Sequence, residues 1–329
     1  MPENLKNPYL NSSDPFVPLL DKGGKSSKEP LSAGIAPDNS QLAHYLAGLI
    51  EGDGAIIVPT TLRSEKGKLL YPTIKITFVD KDTPLALKIK EVLGGGTIEY
   101  PKDVNYVNYL IQDIATLQKV TLLINGKMRT PKIEALHRII DWFNARPNQK
   151  VPIEKLGLDT SNIGNNAWLT GFIEADGNFY SAISVNSVGI ANSIKYYMRI
   201  SQRAEYVRKN DNTQTKVSYL PIMTVIANFL NVSNVRTISR IRSDYIEKVY
   251  EVRTVKRLSC EELINYLTKY PLYSSKHLDY LDWAKIHEIN KFKEYKAIKG
   301  TNLLLELKGG MNSLRSKFDW KHLDNFYKY

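Results

Sequence analysis

The sequence predicts an α+β fold built from two tandem copies of one unit. The stretch LAGLIEGDG at 46–54 returns in the second half of the chain as LTGFIEADG at 169–177. Each stretch is followed by the same succession of patterns: two strand-like runs, a helix, two more strand-like runs and further helices. A repeat of this length indicates a duplicated unit of mixed helix and sheet.

The first copy begins with a helix for which Asn39 or Ser40 can serve as the cap. Apolar residues then recur at helical spacing until Gly54 ends the helix. The runs AIIVPTTL and LLYPTIKITFV read as strands around the turn RSEKGK. DTPLALKIKEVLG reads as a helix closed by Gly94, GTIEY and YVNYLIQD as a second hairpin, and IATLQKVTLLING and TPKIEALHRIIDWFNA as helices.

The second copy follows the same order. The segment NNAWLTGFIEADG is the first helix, and NFYSAISVN and SIKYYMRISQR are the first strands. A helix at PIMTVIANFLN precedes the strands VRTISRIR and EKVYEVRTV, and SCEELINYLTKY and SSKHLDYLDWAKIHEI are helices. Residues 203–219 have no counterpart in the first copy and read as an insertion.

These patterns predict the domain organisation of the 329-residue chain. We expect a flexible N-terminal arm at 1–38, rich in Pro, Ser and Gly, and a first half-domain at 39–143. A linker at 144–163 has two prolines and no clear period, and a second half-domain follows at 164–329.

Composition narrows the classes of partner. The net charge of +11 and the pI near 9.3 favour nucleic acid, although a basic protein without a polyanion partner stays open. The single cysteine, Cys260, excludes a disulfide framework and a cysteine-based zinc site. No apolar run approaches the ~20 residues of a membrane span, and the N-terminus resembles neither a signal nor a transit peptide. We therefore expect no membrane partner and a protein that is either cytosolic or made in the compartment where it works.

Small residues on the two repeated helices predict a close helix pair. Gly48 and Gly52 share a helix face, as do Gly171 and Ala175. Glycine costs roughly 1 kcal/mol against alanine inside a helix, so the repetition requires a reason. We expect these four residues to let the two helices pack across a pseudo-twofold axis.

Two acids end these helices. Asp53 and Asp176 lie where each helix has unsatisfied carbonyls and partial negative charge, and packing the helices together adds repulsion. Mg²⁺ held by the two carboxylates and by the backbone of Gly52 and Ala175 would relieve both problems, and paired metals could clamp a phosphodiester. Glu51 and Glu174 lie on another side of each helix, where we expect local hydrogen bonds or salt bridges.

The two nonamers resemble the signatures of the double-motif LAGLIDADG homing endonucleases, and the resemblance covers about residues 40–329. It implies two αββαββα half-domains in a pseudo-twofold saddle, with the signature helices at the interface and four-stranded antiparallel sheets facing DNA. It also implies Mg²⁺-dependent cleavage of both strands of a specific site with 3′ overhangs. The last acid of each signature, Asp53 and Asp176, is then the metal ligand.

The resemblance implies three further catalytic residues. A lysine stands before a late helix of each half, which matches Lys132 and Lys276. A polar residue ends the second strand, which matches Gln202, whereas Phe78 stands at that place in the first half. This departure predicts two unequal sites, with one strand cut more slowly.

The strands are expected to contact DNA, since a β-ribbon fits the major groove and polar side chains there pair with bases and phosphates. For any one candidate an ordinary solvated sheet face is nearly as good an interpretation. The candidates are Thr61, Arg63, Lys68, Tyr71, Lys75, Tyr106, Asn108, Ser184, Asn186, Lys195, Tyr197, Arg199, Arg236, Ser239, Arg240, Arg242 and Arg253.

The resemblance also sets expectations for cofactor, assembly and compartment. We expect Mn²⁺ to replace Mg²⁺, Ca²⁺ to support binding without cleavage, a monomer, and a mitochondrial, organelle-encoded origin. Two alternatives stay open: an intron RNA maturase, alone or as a second activity, and a DNA-binding regulator that has lost catalysis. Both signature acids, Asp53 and Asp176, are present, which favours the nuclease.

Overall fold

The computed structural model describes residues 39–61, 63–146, 149–207, 216–242 and 245–328. All of them belong to one compact unit, Pro37–Tyr329. The expected N-terminal arm, 1–38, lies outside the described residues. Within them, no helix is both long and apolar enough to cross a membrane.

The first half of this unit is an antiparallel sheet backed by helices. Its strands lie in the order β1-β2-β4-β3. In chain order the elements are α1 (Asn39–Asp53), β1 (Gly54–Ile57), β2 (Thr73–Val79), α2 (Thr83–Leu93), β3 (Thr97–Glu99), β4 (Tyr106–Ile111), α3 (Ile114–Ile124) and α4 (Ile133–Asn144).

The second half repeats the arrangement and adds to it. Its main sheet has the order β5-β6-β10-β9, which matches the first sheet strand for strand, and β7 and β8 pair as a separate two-stranded sheet within the expected insertion. The elements are α5 (Trp168–Asp176), β5 (Gly177–Val185), β6 (Ala191–Arg203), β7 (Glu205–Val207), β8 (Lys216–Ser218), α6 (Leu220–Phe229), β9 (Arg236–Ile241), β10 (Ile246–Arg253), α7 (Arg257–Lys269), α8 (Lys276–Lys291) and α9 (Ile298–Gly309).

Alternation along the strands gives each sheet one buried face. In β2, Ile74, Ile76 and Phe78 are buried while the residues between them are half-exposed. In β6, Met198 and Ile200 are likewise buried, and Arg199 between them is half-exposed. Because side chains alternate between the faces of a strand, the helices cover one face of each sheet and the other face is open to solvent.

The first helices of the two halves, α1 and α5, pack against each other at very short range. A Cβ on Gly48 would lie 2.0 Å from the Trp168 carbonyl oxygen, and a Cβ on Gly171 would lie 2.0 Å from that of Tyr45. A Cβ on Gly52 would lie 2.1 Å from the Ala175 Cβ. Only small residues permit this approach, and the predicted fold class, with the repeated helices at the interface, is confirmed.

Three expectations about individual segments need correction. β1 ends at Ile57 and β2 begins at Thr73, so the run between them, which was expected to be mostly strand, is a connection. Among its described residues, an isolated antiparallel bridge joins Arg63 to Leu69. Ser40 lies inside α1 and does not cap it, because the helix already includes Asn39. The additional helix α9 falls in a C-terminal stretch to which the sequence patterns assigned no element.

Candidate functional site

The two signature acids line one cavity between the halves. Asp53 and Asp176 end α1 and α5, and the close packing of these helices brings both to a cavity of about 510 Å³. We call it the central cavity. It is lined by Glu51, Gly52, Asp53, Gly54, Ala55, Ile56, Ile57, Lys132, Ala135, Arg138, Asp176, Gln202, Arg203, Tyr206, Val207 and Tyr219.

Both carboxyl groups are disfavoured as anions by their surroundings in the protein. Loss of hydration raises the pKa of Asp176 to about 7, and the charge of Asp53 adds to the rise, against the opposing effect of Lys276 and Lys132. The pKa of Asp53 is also raised by reduced hydration, although its side chain is exposed at the cavity edge. An added cation would relieve the repulsion between the two groups.

Lys132 and Lys276 each approach the end of the signature helix in their own half. The Lys132 Nζ donates to the carbonyls of Ile50, Gly52 and Gly54 at 3.0, 3.3 and 2.8 Å. The Lys276 Nζ donates to those of Ile173 and Ala175 at 3.3 and 2.9 Å, and also to Glu174. Burial lowers the pKa of Lys132 to about 8. Each ammonium therefore supplies the positive charge that the end of its own signature helix lacks.

The donor set fits a hard divalent cation. Two carboxylates and two carbonyls offer only oxygen atoms, which Mg²⁺ prefers. The Gly52 and Ala175 carbonyls already accept hydrogen bonds from lysines, and each oxygen has a second lone pair. Among the described residues there is no cluster of three or more His, Cys, Asp or Glu side chains that could hold a metal, so the candidate site depends on this smaller set.

Gln202 and Phe78 occupy equivalent positions. Gly54 pairs with Ile76 and Gly177 pairs with Ile200, so Phe78 and Gln202 each follow two residues further along the second strand. The Gln202 Nε2 donates to Asp176 Oδ2 at 2.9 Å. Phe78 is buried and offers no such donor. The two acids therefore have different surroundings, as the sequence comparison of the two halves predicts.

Arg203 and Asp82 are two residues near the acids that sequence reasoning missed. Arg203 is exposed in the central cavity, where its charge opposes the rise in the pKa of Asp176. Asp82 is buried, its charge raises the pKa of Asp53, and its Oδ1 accepts a hydrogen bond from the Ser275 backbone at 2.7 Å. Arg203 is the last residue of β6 and Asp82 follows the end of β2 by three residues, and this position near the end of the second strand is the only sequence signal that could have indicated them.

The expectation of local partners for Glu51 and Glu174 is wrong. Glu51 accepts hydrogen bonds from the backbone of Arg129 and Thr130 and from the Trp168 indole nitrogen, at 2.6 to 3.0 Å. Glu174 accepts them from the backbone and hydroxyl of Ser274, and from the backbone of Tyr273. All these partners are far away in the sequence, and no helical spacing could identify them.

Most of the candidate DNA-contacting residues on strands lie on the open faces of the two sheets. Register and alternation place on these faces Lys75, Tyr106, Asn108, Ser184, Lys195, Tyr197, Arg199, Arg236, Arg240 and Arg253. Ser239 pairs with Lys248, which shares its strand face with the core residue Val252, so Ser239 does not point outward with its neighbours.

Several candidates are already engaged within the protein. The Asn108 side chain is buried and bonds Thr77 and Glu99, at 2.9 Å each. Tyr197 is buried under Tyr180 and Arg253, and the two tyrosine rings stack at 4.7 Å.

Others form ion pairs or belong to turns and connections. Arg236 and Arg253 pair with Glu251, and Arg242 pairs with Glu247. Asn186 holds a turn by accepting from the backbone of Ile190 at 2.9 Å. Four candidates lie exposed in the connection between β1 and β2, and none of them is on a named strand: Thr61, Arg63, Lys68 and Tyr71.

The fold and this site define a pseudo-symmetric α+β protein with two acidic helix ends and two sheets that each have one open face. A family model described as LAGLIDADG endonuclease matches residues 46–143 and 169–287. The chain is also 33% identical over 309 residues to the intron-encoded DNA endonuclease aI3 of Saccharomyces cerevisiae, covering 87% of this chain and 73% of that protein. The chain belongs to the LAGLIDADG endonuclease family, which confirms the resemblance found in the sequence.

Solved structures show the same fold. The meganuclease I-SmaMI bound to uncleaveable DNA superposes with a TM-score of 0.58 at 21% identity, over 83% of this chain and 97% of that one. Another structure shows I-SmaMI bound to an uncleaved DNA target in the presence of calcium ions. A shorter match, 26% identical over 43% of this chain and 20% of its relative, is to the intron-encoded RNA maturase bI4 of Saccharomyces cerevisiae.

Proposed function

We propose that this protein is a site-specific homing endonuclease that makes a staggered double-strand break in DNA with Mg²⁺ as cofactor. The observation that carries the proposal is the convergence of Asp53 and Asp176 on one cavity, where each acid is disfavoured as an anion without a cation. The match to the intron-encoded endonuclease of yeast supports the same activity.

The residues of the chain have separable roles in this reaction. Asp53 and Asp176, with the carbonyls of Gly52 and Ala175, would hold Mg²⁺, which lowers the pKa of bound water and stabilises charge on the phosphate. Lys132 and Lys276 supply fixed positive charge beside the reacting phosphates. Gln202 orients Asp176 through its 2.9 Å hydrogen bond. Phe78 cannot do the same for Asp53, so we expect the two strands to be cut at unequal rates.

The open faces of the two sheets would bind the target duplex. Polar and basic side chains on both sheets would contact phosphates and bases. Because one chain contains both sheets, a monomer would bind both halves of the target site. We propose that the two half-domains comprise residues 39–143 and 164–329. We also propose that the protein works in mitochondria, because relatives in fungi are encoded in introns, one of them in intron 2 of cox1.

Cleavage of duplexes that span intron-insertion junctions tests this function. With Mg²⁺ or Mn²⁺ we expect a discrete double-strand break with 3′ overhangs, and with Ca²⁺ or a chelator we expect binding without cleavage. Asp53→Asn and Asp176→Asn should each abolish the double-strand break and leave DNA affinity within about threefold. Wild-type cleavage rates on both strands in both variants would contradict the metal assignment.

Binding measurements with the same duplexes and with intron RNA, made beside the cleavage assay, separate the alternatives. Specific binding without cleavage in Mg²⁺ would indicate a DNA-binding regulator. Tight binding to a structured intron RNA without DNA binding would indicate a maturase. The short match to the yeast maturase is the reason to test this activity.

A further inference from the structure

The two signature helices each carry a buried glutamate that does not serve as a proposed metal ligand. Glu51 is completely buried and Glu174 is 5% exposed, and burial raises the pKa of both carboxyl groups. A buried carboxyl group is costly unless its oxygens are hydrogen-bonded. Both glutamates accept hydrogen bonds from the segment just before a helix that begins at, or directly after, one of the two lysines. We call α4, which follows Lys132, and α8, which begins at Lys276, the lysine helices.

In the first half, the contact passes through Thr130. Glu51 accepts a hydrogen bond from the Thr130 backbone at 2.6 Å, and the nearby Thr130 hydroxyl opposes the rise in the pKa of the Glu51 carboxyl group. The same hydroxyl accepts a hydrogen bond from the backbone of Lys132 at 3.2 Å. The Lys132 Nζ then reaches the carbonyls at the end of α1, the helix that contains Glu51. The chain of contacts therefore starts and ends on one helix.

The second half has the same chain of contacts with different residues. Glu174 accepts from the Ser274 backbone at 3.0 Å and from the Ser274 hydroxyl. That hydroxyl accepts from the backbone of Lys276 at 3.1 Å. The Lys276 Nζ reaches carbonyls at the end of α5, the helix that contains Glu174. Two halves of different sequence thus keep one geometry: glutamate, hydroxyl residue, and lysine two positions later.

We propose that Glu51 and Thr130 are positioning residues for Lys132, and that Glu174 and Ser274 are positioning residues for Lys276. In each half the glutamate fixes the start of the lysine helix against the signature helix, so that the ammonium is held beside the candidate metal ligands. The consequence for the reaction rests on the proposed function: each set controls one of the two strand cuts. The positioning itself does not depend on that function.

Substitutions that remove only the hydroxyl test the proposal. Thr130→Val keeps the shape of the side chain, and Ser274→Ala removes one oxygen atom. The first readout is the rate at which an amine-reactive methylating reagent modifies each lysine in the metal-free full chain, measured by mass spectrometry. We expect Thr130→Val to raise the labelling of Lys132 and not of Lys276, and Ser274→Ala to do the reverse.

The second readout is the rate of cleavage of each strand in a duplex labelled at both ends. A displaced catalytic group of this kind costs about ten- to a hundredfold in rate. We expect Thr130→Val to slow one strand by that amount, the same strand that Lys132→Ala slows, and Ser274→Ala to slow the other strand. KM for the duplex should stay within about twofold, because no DNA contact is removed.

Matched controls separate positioning from general loosening. Thr121→Val alters an equally buried threonine in α3, and Ser259→Ala alters a buried serine in α7. Neither should change the labelling of either lysine or the ratio of the two strand rates. Unchanged labelling in Thr130→Val and Ser274→Ala, or equal increases at both lysines, would overturn the proposal.

The two readouts keep the positioning and the nuclease function apart. Selective labelling without cleavage by any variant, including the wild type, would support the positioning and contradict the endonuclease. Cleavage by the wild type with equal slowing of both strands in each variant would contradict the positioning and leave the endonuclease intact.

Discussion

At the residue scale, four acids on two helices have two different kinds of surroundings. Glu51 and Glu174 are satisfied by amides, hydroxyl groups and an indole from distant segments. Asp53 and Asp176 face the central cavity and have their pKa values raised, with Gln202 as a fixed partner of Asp176 only. The hydrogen bonds of the first pair therefore tie distant segments to the two signature helices, whereas the charge of the second pair would be stabilised by a cation.

The raised pKa of Asp176 predicts that removing its negative charge from the central cavity increases the free energy of unfolding. An acid with a folded pKa above its unfolded value costs stability at pH values above both, and the cost disappears as the pH falls below the unfolded value. For Asp176, with its pKa raised to about 7, the cost applies in full at pH 8. We expect Asp176→Asn to raise the metal-free Tm at pH 8 by about 3–6 °C, on the order of 1–2 kcal/mol.

Calorimetry with a chelator, and again with Mg²⁺, checks this expectation. Mg²⁺ should raise the Tm of the wild type, because a ligand that binds only the folded state stabilises it. The same addition should raise the Tm of Asp176→Asn much less. A lower metal-free Tm in Asp176→Asn would show that the ionised carboxylate stabilises the fold, contrary to this account.

At the element scale, the contact between α1 and α5 leaves no room for a methyl group. We expect Gly48→Ala to destabilise the protein by about 3 kcal/mol or more, because its Cβ would meet the backbone of Trp168, which cannot rotate away. Gly309→Ala is the matched control, since a Cβ there meets nothing within 4 Å at the end of α9. It should be neutral or stabilising by up to about 1 kcal/mol.

Equilibrium unfolding in guanidinium chloride measures both variants. A Gly48→Ala protein that unfolds at the wild-type midpoint would mean that the two helices can separate without loss. If the midpoint of Gly309→Ala fell as far as that of Gly48→Ala, the loss of stability would come from replacing glycine and not from the helix interface.

The sequence predicts the elements well where the pattern is local. The helix closed by Gly94 ends there in a left-handed turn with φ 77°, and the order of helices and strands is as expected. The connection after β1 and the helix α9 were missed, because alternation and helical period do not reveal where pairing stops or what covers a late segment. Glu51 shows the limit most clearly, since its partners lie 78 to 117 residues away.

At the scale of the whole molecule, the positive charge and the two open sheet faces predict salt-sensitive DNA binding. Lys195 is exposed on the open face of β6, whereas Lys88 lies on α2, in the helical layer behind the first sheet. Each phosphate contact adds about 0.9 to the slope of log affinity against log salt. We expect Lys195→Ala to reduce the steepness of that slope by about 1, and Lys88→Ala to leave it unchanged.

Fluorescence anisotropy of a labelled duplex, measured at salt concentrations from about 50 to about 300 mM, gives the slope for each variant and for the wild type. Equal slopes for the wild type and Lys195→Ala would remove Lys195 from the DNA-contacting set. A smaller slope for Lys88→Ala would place the helical layer, and not the sheet, against the duplex.

The candidate site was predictable where the repeat marks it and not elsewhere. The repeated stretch indicates Asp53, Asp176 and the small residues between the helices, because duplication makes the same positions visible twice. Asp82 and Arg203 stand at positions where the halves differ, so the repeat could not indicate them. Among the DNA-contacting candidates, Asn108 and Tyr197 are buried by neighbours across the sheet, which strand alternation does not reveal.

The aromatic donors to the two buried glutamates also limit how the halves can be exchanged. Glu51 takes a hydrogen bond from Trp168, and Glu174 is approached at 3.5 Å by the Tyr45 hydroxyl, so each glutamate depends in part on the opposite half. A chimera that joins one half to a half from another chain would retain the sheets and the acids. It would leave a buried acceptor short of a donor, at about 1–3 kcal/mol, unless the aromatic residue were transferred as well.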